Sequence, residues 1–460
     1  MPHKSSESGK SNKNNKPNVI VIMTDDQGYG DLSCMGNTGF VTPHIDELAA
    51  SGARFSCMYS ASPVCSPSRA SLLTGRYPGY AGVRAILAGH RRASGLTSEA
   101  PTIASALKPL GYRTAHIGKW HLGLKDDSRP NQNGFDYFYG FLAGCIDYYS
   151  HIFYWGMADG KTNPTHDLWE NDQEVHADGE YFTQLITKKA VKYIRDNANG
   201  PNKEPFMLYL GYNAPHYPMH APPEYIDRFA HLPWDQRVMY AMISAVDDGV
   251  GDIRAELKRQ GILENTIIYY QSDNGPSRES RNFLDGREDS YYGGSAGAFK
   301  GHKFSLFEGG IRVPGIISWP AGIPSNQVID EPVHAMDIFP TILKVAGGDF
   351  SEYQIDGMDI MPVIKDQAKS PHDKLFWEMN GQTAVRQGDY KLVLNGQLVE
   401  EEPAQDPIFL SNLKDDPSES RNLAEKMPDL TAELTTAAKE WRNALEENWD
   451  QKYAKRYTLT

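Results

Sequence analysis

The chain alternates short, uninterrupted apolar runs with longer amphipathic stretches. Residues 19–24 (Val-Ile-Val-Ile-Met-Thr) end in Asp25-Asp26, the pattern of a strand buried on both faces. The run at 114–117 leads to Lys119 and His121, the run at 206–210 to His216, and the run at 266–270 to Asp273-Asn274. Between them, residues 43–51, opened by Thr42-Pro43 and closed by Gly52, residues 180–197 and residues 235–259 read as helices. Such alternation predicts an α/β fold, a mostly parallel central sheet sandwiched by helices. Ligands of such sheets bind beyond the carboxyl ends of strands. The acidic, amide, lysine and histidine residues that follow these four runs fall there.

From about residue 375 the pattern changes. Residues 383–386 and 390–394 alternate around Gly388-Asp389, as in a hairpin. Leu430, Leu434, Ala437, Ala438, Trp441 and Leu445 then fall on one helical face. We therefore expect three parts: a disordered polar tail over 1–17, a catalytic α/β domain over 18–374, and a C-terminal α+β subdomain over 375–460, built as a small antiparallel sheet with one covering helix. No internal repeat is visible.

Composition narrows the picture. The 460 residues carry a net charge of −13, which argues against nucleic-acid binding through a broad basic surface. A polyanionic substrate would need a local cationic patch, and Arg84, His90, Arg91 and Arg92 are candidates, a solvated loop being the alternative. No apolar run reaches the roughly 20 residues that span a bilayer, and the polar start lacks a signal-peptide core. The pattern suits a cytosolic protein or a chain whose export signal has been removed. Four cysteines are too few for a disulfide framework.

The run Cys65-Ser66-Pro67-Ser68-Arg69-Ala70-Ser71-Leu72-Leu73-Thr74-Gly75-Arg76 reads as a helix start, with Ser66 as cap and Pro67 at the first position. Cys65 then sits at the positive end of the helix dipole. Free N–H groups and Arg69 there favour an oxyanion. C-x-P-S-R followed by L-T-G-R resembles the signature of the type I sulfatases, of alkaline phosphatase-like fold, whose cysteine is converted to Cα-formylglycine. The resemblance covers roughly residues 18–445. It implies a formylglycine-generating or sulfatase-maturating enzyme as a partner, and a periplasmic, secreted or lysosomal setting.

Asp25, Asp26, Asp273 and Asn274 offer only oxygen donors, which suits a hard cation, calcium rather than magnesium. The resemblance makes these four residues calcium ligands. Within Gly118-Lys119-Trp120-His121-Leu122-Gly123, Lys119 and His121 lie on one side of an extended backbone. The resemblance implies that Lys119 binds a sulfate oxygen and that His121 orients or deprotonates the nucleophile. It places His216, in a proline-restricted loop, and Lys303 beside the departing alcohol. Glu308 and Arg312 read as a structural pair. His220 has no assigned role.

Nine aromatics between 137 and 155, including Trp155, could line a sugar subsite or form core. Asp147-Tyr148-Tyr149-Ser150-His151 is similar to a segment of the galactosamine-4-sulfatase (arylsulfatase B-like) branch. It makes Ser150 and His151 candidates for contact with a sulfated saccharide of galactose or N-acetylgalactosamine type. Two other functions fit the motifs: a phosphonate monoester or phosphodiester hydrolase of the same fold, and a calcium-dependent glycan-binding protein whose Cys65 is never matured.

Overall fold

The computed structural model describes residues 16–154, 164–198, 204–278, 292–399, 403–404 and 406–454. Residues 1–15 of the expected tail and Trp155 of the aromatic segment lie outside the described residues. The principal strands are β1 (Asn18–Thr24), β2 (Gly52–Tyr59), β3 (Arg113–Lys119), β4 (Tyr137–Phe141), β5 (Phe206–Gly211), β6 (Thr266–Ser272) and β7 (Arg312–Ser318). The helices that concern us are α1 (Pro43–Ala50), α2 (Cys65–Thr74), α3 (Phe182–Ala198), α4 (Trp234–Arg259) and α5 (Pro428–Lys452).

Across the large sheet the order is β2-β7-β6-β1-β5-β3-β4, with Gln327–Ile329 beside β2 and the short pair Trp169–Glu170 and Gln173–Glu174 beyond β4. Strand β1 is parallel to both β5 and β6, and β3 is parallel to β5 and β4. The run from β4 to β6 is thus the parallel sheet the alternation predicts. Every residue of β5 and β6 is buried, which explains why they read as continuous apolar runs. Strand β7 is antiparallel to β6 and β2. Its beginning therefore reaches the sheet edge where its parallel neighbours end.

Two helix boundaries differ from expectation. Gly52 does not close α1 but opens β2, where an added Cβ would meet the Ile317 carbonyl at 2.1 Å. Helix α2 begins at Cys65 itself, after Val64, without a side-chain cap. Ser66 is inside the helix, its hydroxyl accepting the Leu87 N–H at 3.1 Å. Pro67 is tolerated there because the first four N–H groups of a helix lack intrahelical partners anyway. The end of the polar tail is docked rather than loose: Lys16 Nζ donates to the Leu110 carbonyl at 2.9 Å, and the Pro17 carbonyl accepts from Tyr112.

The second sheet consists of β8 (Leu375–Met379), β9 (Gln382–Gln387), β10 (Tyr390–Leu394) and β11 (Ile408–Asn412), all antiparallel. Gly388 turns the expected hairpin at φ 55°, where a residue without Cβ avoids strain. Leu434, Ala438 and Leu445 of α5 are buried, so the apolar stripe is a packing face. The two sheets meet through a buried ionic network. Lys391 Nζ lies 2.8 Å from Glu308 Oε1 and 3.3 Å from Glu419 Oε1. Glu308 also accepts from Tyr59 at 2.7 Å and pairs with Arg312 at 3.2 Å, which makes Glu308 and Arg312 structural, as expected.

His116 of β3 shows what the core demands of a polar side chain. Its ring lies between Phe138 and Tyr209, with centroids at 5.4 and 4.8 Å, and its Nδ1 bonds the Tyr209 carbonyl at 3.1 Å. Burial pushes its pKa down to about 3, so it stays neutral in the fold while the unfolded chain would protonate near 6.5. The unfolded state binds more protons between those values, and the contribution of this residue to stability is full above 6.5 and lost as pH falls toward 3. Urea unfolding at pH 7 and pH 5 should show His116→Phe losing about 2 kcal/mol less than the parent protein over that interval. Equal losses would refute the assignment.

Candidate active site

Five strand ends converge on one edge of the large sheet. Asp25 and Asp26 follow β1, Asp273 and Asn274 follow β6, Lys119 ends β3, and His216 lies in the loop after β5. Lys303 lies in the segment before β7, and α2 brings Cys65 and Arg69. All nine side chains are at most 4% exposed.

Charge links them. Arg69 donates to Asp273 Oδ2 from Nε at 3.0 Å and from Nη2 at 2.7 Å, and to the Lys119 carbonyl from Nη1 at 3.3 Å. Lys119 is paired with Asp25, and Lys303 Nζ lies 2.9 Å from Asp26 Oδ2. Asp273 Oδ1 accepts the Asp26 N–H at 3.1 Å, and Asn274 Nδ2 donates to Asp26 Oδ1 at 2.7 Å. Three carboxylates thus face three cations. Burial, partly offset by Lys119, pushes the Asp25 pKa well above the usual carboxylate range. Burial works against the charge of Lys119, yet Asp25 and Cys65 hold its pKa above the ordinary lysine value.

The cluster suits a hard cation. Asp25 Oδ1 and Asn274 Oδ1 are buried and accept no hydrogen bond, although Arg69 Nη2 lies 3.7 Å from Asp25 Oδ1, which leaves acceptor capacity that a cation could take up. Ligand atoms of Asp25, Asp26 and His216 come within 4.8 Å of one another. Both oxygens of Asp273 are already engaged by Arg69 and the Asp26 N–H, so the sequence reading did not foresee how fully Asp273 is committed.

Burial and nearby lysines keep the histidines neutral, and their hydrogen bonds fix the tautomer. His121 Nε2 faces the Leu87 carbonyl at 3.1 Å, which fixes the proton there and leaves Nδ1 a buried acceptor without a partner. His216 Nδ1 faces the Tyr217 carbonyl at 2.6 Å, leaving Nε2 to accept from Lys303 at 3.4 Å. Burial, with Lys119 beside His121 and with Lys303 and Lys119 beside His216, pushes both pKa values well below 6.5. The backbone is not extended at His121, where φ is 52°; Asp26 and Phe304 are also left-handed, at 60° and 73°. Such conformations cost energy and concentrate where a site dictates side-chain direction.

Burial raises the Cys65 thiol to about 11, despite Lys119 and Lys303 nearby. An unmodified thiol there is almost wholly protonated near neutral pH, which makes it a weak nucleophile.

The two proposed sugar contacts behave differently. Ser150 is half-buried, its hydroxyl on Asp147 Oδ1 at 2.9 Å. His151 is fully buried with Nε2 against the Glu180 carbonyl at 3.2 Å, and so presents no surface to a bound sugar. The aromatic segment is mostly core: Phe138, Tyr139, Phe141, Tyr148 and Phe153 are buried, because the segment runs through β4 and folds back under α3. The expected cationic patch is partly spent on structure. Arg84 pairs with Glu378 and Glu446, and Arg91 with Glu174.

Two residues escaped the sequence reading. Tyr148 donates to the His216 carbonyl at 2.9 Å, fixing the loop that carries it. Asn213 is fully buried with neither amide atom partnered; its place just past β5 was the signal that could have found it.

Three comparisons bear on identity. The Sulfatase family model matches residues 17–348, and that of the N-sulphoglucosamine sulphohydrolase C-terminal region matches 295–444. Arylsulfatase J of Mus musculus is 34% identical over 361 residues, covering 77% of this chain; the match spans 57% of that relative's length. N-acetylgalactosamine-6-sulfatase of Mus musculus is 32% identical over 394 residues, covering 82% of this chain and 71% of the relative. The crystal structure of Ps i-CgsB in complex with k-i-k-neocarrahexaose superposes with a TM-score of 0.79 at 32% identity, covering 93% of this chain and 92% of that one.

Arg69→Met would leave Asp273 buried without its counter-charge. In a chelator we expect a loss of about 3–5 kcal/mol in urea unfolding, as for other broken buried pairs, with part of it restored by millimolar divalent cation. A variant as stable as the parent in chelator would show that Arg69 does not carry this balance.

Proposed function

The chain belongs to the sulfatase family of sulfuric ester hydrolases, and from that premise we propose that it hydrolyses sulfate esters of galactose or N-acetylgalactosamine units in a sulfated glycan. The observation that carries this reading is the convergence of Cys65, Arg69, Lys119, His121, His216 and Lys303 on one buried, charge-balanced acidic cluster. The glycan class draws support from the relative that is an N-acetylgalactosamine-6-sulfatase and from the neocarrahexaose complex of Ps i-CgsB.

Calcium held by Asp25, Asp26, Asp273 and Asn274 would neutralise sulfate oxygens and acidify the attacking hydroxyl. Formylglycine made from Cys65 would supply, as its hydrate, an oxygen nucleophile on a carbon that can later release sulfate. Burial that raises the Cys65 thiol to about 11 argues against direct thiolate attack in the folded protein. With Cys65 at 2% exposure within a wholly buried helix, the maturating enzyme has to meet the chain before it folds.

The other roles follow from hydrogen bonding. Lys119 and Lys303 present ammonium groups to the sulfate oxygens once a substrate draws them from Asp25 and Asp26. His121 Nδ1, an acceptor without a partner, takes a proton from the nucleophile's side. Lys303 Nζ holds a proton between His216 Nε2 and the leaving oxygen, and His216 returns one to Lys303 from solvent. Arg69 positions Asp25 and Asp273. Ser150, beside Tyr154 at the rim, is the remaining candidate for sugar contact.

The first test is mass spectrometry of the tryptic peptide 55–69 from protein made with a formylglycine-generating enzyme. We expect loss of the Cys65 sulfur and reaction with a hydrazide, followed by turnover of sulfated galactose or N-acetylgalactosamine saccharides. His216→Ala should lower turnover roughly 10²–10⁴-fold, and Cys65→Ala should abolish it. An intact thiol alongside a matured control protein would sink the nucleophile assignment, and faster turnover of a phosphonate monoester than of any sulfate ester would sink the substrate class.

A further inference from the structure

A second cluster of metal-ligating groups lies outside the acidic site. A ring nitrogen of His151, a ring nitrogen of His166 and a carboxylate oxygen of Asp178 come within 4.8 Å of one another. His151 is fully buried, His166 is half-buried and Asp178 is exposed. The three come from different pieces of chain. His166 pairs with Ile152 in a short antiparallel ladder, next to His151. Asp178 lies in the turn that precedes α3, where the Gly179 N–H donates to the Tyr149 carbonyl at 2.8 Å.

The far nitrogen of each histidine is already committed. His151 Nε2 faces the Glu180 carbonyl at 3.2 Å, and His166 Nδ1 faces Glu174 Oε1 at 3.0 Å. Glu174 is itself held by Arg91 at 3.1 Å. These bonds assign the ring protons to the outer nitrogens and leave His151 Nδ1 and His166 Nε2 as lone-pair acceptors. Both of these atoms are buried and neither has a hydrogen-bond partner. Neutral imidazoles whose other nitrogen donates to a carbonyl or carboxylate are the usual support of metal-bound histidine. The His176 ring stacks on His166 at 4.2 Å, which restrains its plane. Two such lone pairs lying together, beside a carboxylate oxygen, are what a bound cation would satisfy.

We propose that His151, His166 and Asp178 bind a borderline divalent transition metal of the zinc class. Two imidazole nitrogens and one carboxylate match zinc's donor preference, whereas calcium or magnesium would take oxygen donors. Three protein ligands leave a fourth position for water. Such an ion would tie the ladder after Ser150 to the turn before α3, fixing the wall from which Ser150 and Tyr154 project. The site is separate from the acidic cluster, and its existence does not depend on the proposed reaction.

The test uses the full chain, stripped with chelator and then saturated with Ca²⁺ to occupy oxygen-donor sites, titrated with Zn²⁺ and, for its visible absorption, with Co²⁺. We expect one ion that raises the unfolding temperature and gives Co²⁺ ligand-field bands. His166→Ala and Asp178→Asn should weaken it at least 10-fold, and Glu174→Gln, at the His166 nitrogen turned away from the proposed metal, roughly 10-fold. The exposed Asp178 keeps the test valid even if His166→Ala folds poorly. Absence of binding, or binding unchanged in Asp178→Asn and Glu174→Gln, would overturn the assignment.

Discussion

The molecule is organised around the cost of burying charge. Asp25, Asp26 and Asp273 sit at the ends of two adjacent strands, out of contact with water, and each unpaired would cost several kcal/mol. Arg69, Lys119 and Lys303 come from a helix, a third strand and the approach to a reversed strand to balance them. No single element could bring three anions and three cations together. The parallel core of the sheet supplies the anions, and the neighbouring strand and helix positions follow from where the cations must be.

This balance also bears on chemistry. With Asp25 ionised against Lys119, three negative and three positive side chains sum to zero. On the proposed reading, a divalent cation and a sulfate ester would enter a site whose own charges already cancel. Such a cluster is preorganised for developing negative charge rather than assembled when substrate arrives. The Lys391 network repeats the device where the second sheet meets the first: Glu308, in the turn just before β7, is held by a lysine from β10, so the small sheet braces the chain segment that carries Lys303.

Much of this was legible in the sequence because the strands are buried on both faces. Continuous apolar runs announced β1, β5 and β6, and the polar residues just after them marked the edge where the site lies. The hairpin at Gly388 and the stripe on α5 were equally plain, since local period and turn chemistry decide them. What sequence could not supply was contact between distant segments. Ser66 reads as a cap, yet its hydroxyl answers the Leu87 N–H. His151 reads as a surface group beside Ser150, but the turn before α3 folds over it. His121 reads as extended with Lys119, whereas the Leu87 carbonyl and a left-handed backbone set its direction. Each miss comes from a partner more than 20 residues away.

The large sheet ends in very short strands. On one side is the three-residue strand Gln327–Ile329, and on the other the two-residue strand Gln173–Glu174. A sheet this wide, with an apolar middle, would otherwise offer long rows of open N–H and C=O groups to a passing chain. Short terminal strands give such a chain few consecutive bonds to make. The protein can thus keep a wide, flat frame for its charges without inviting its neighbours to extend it.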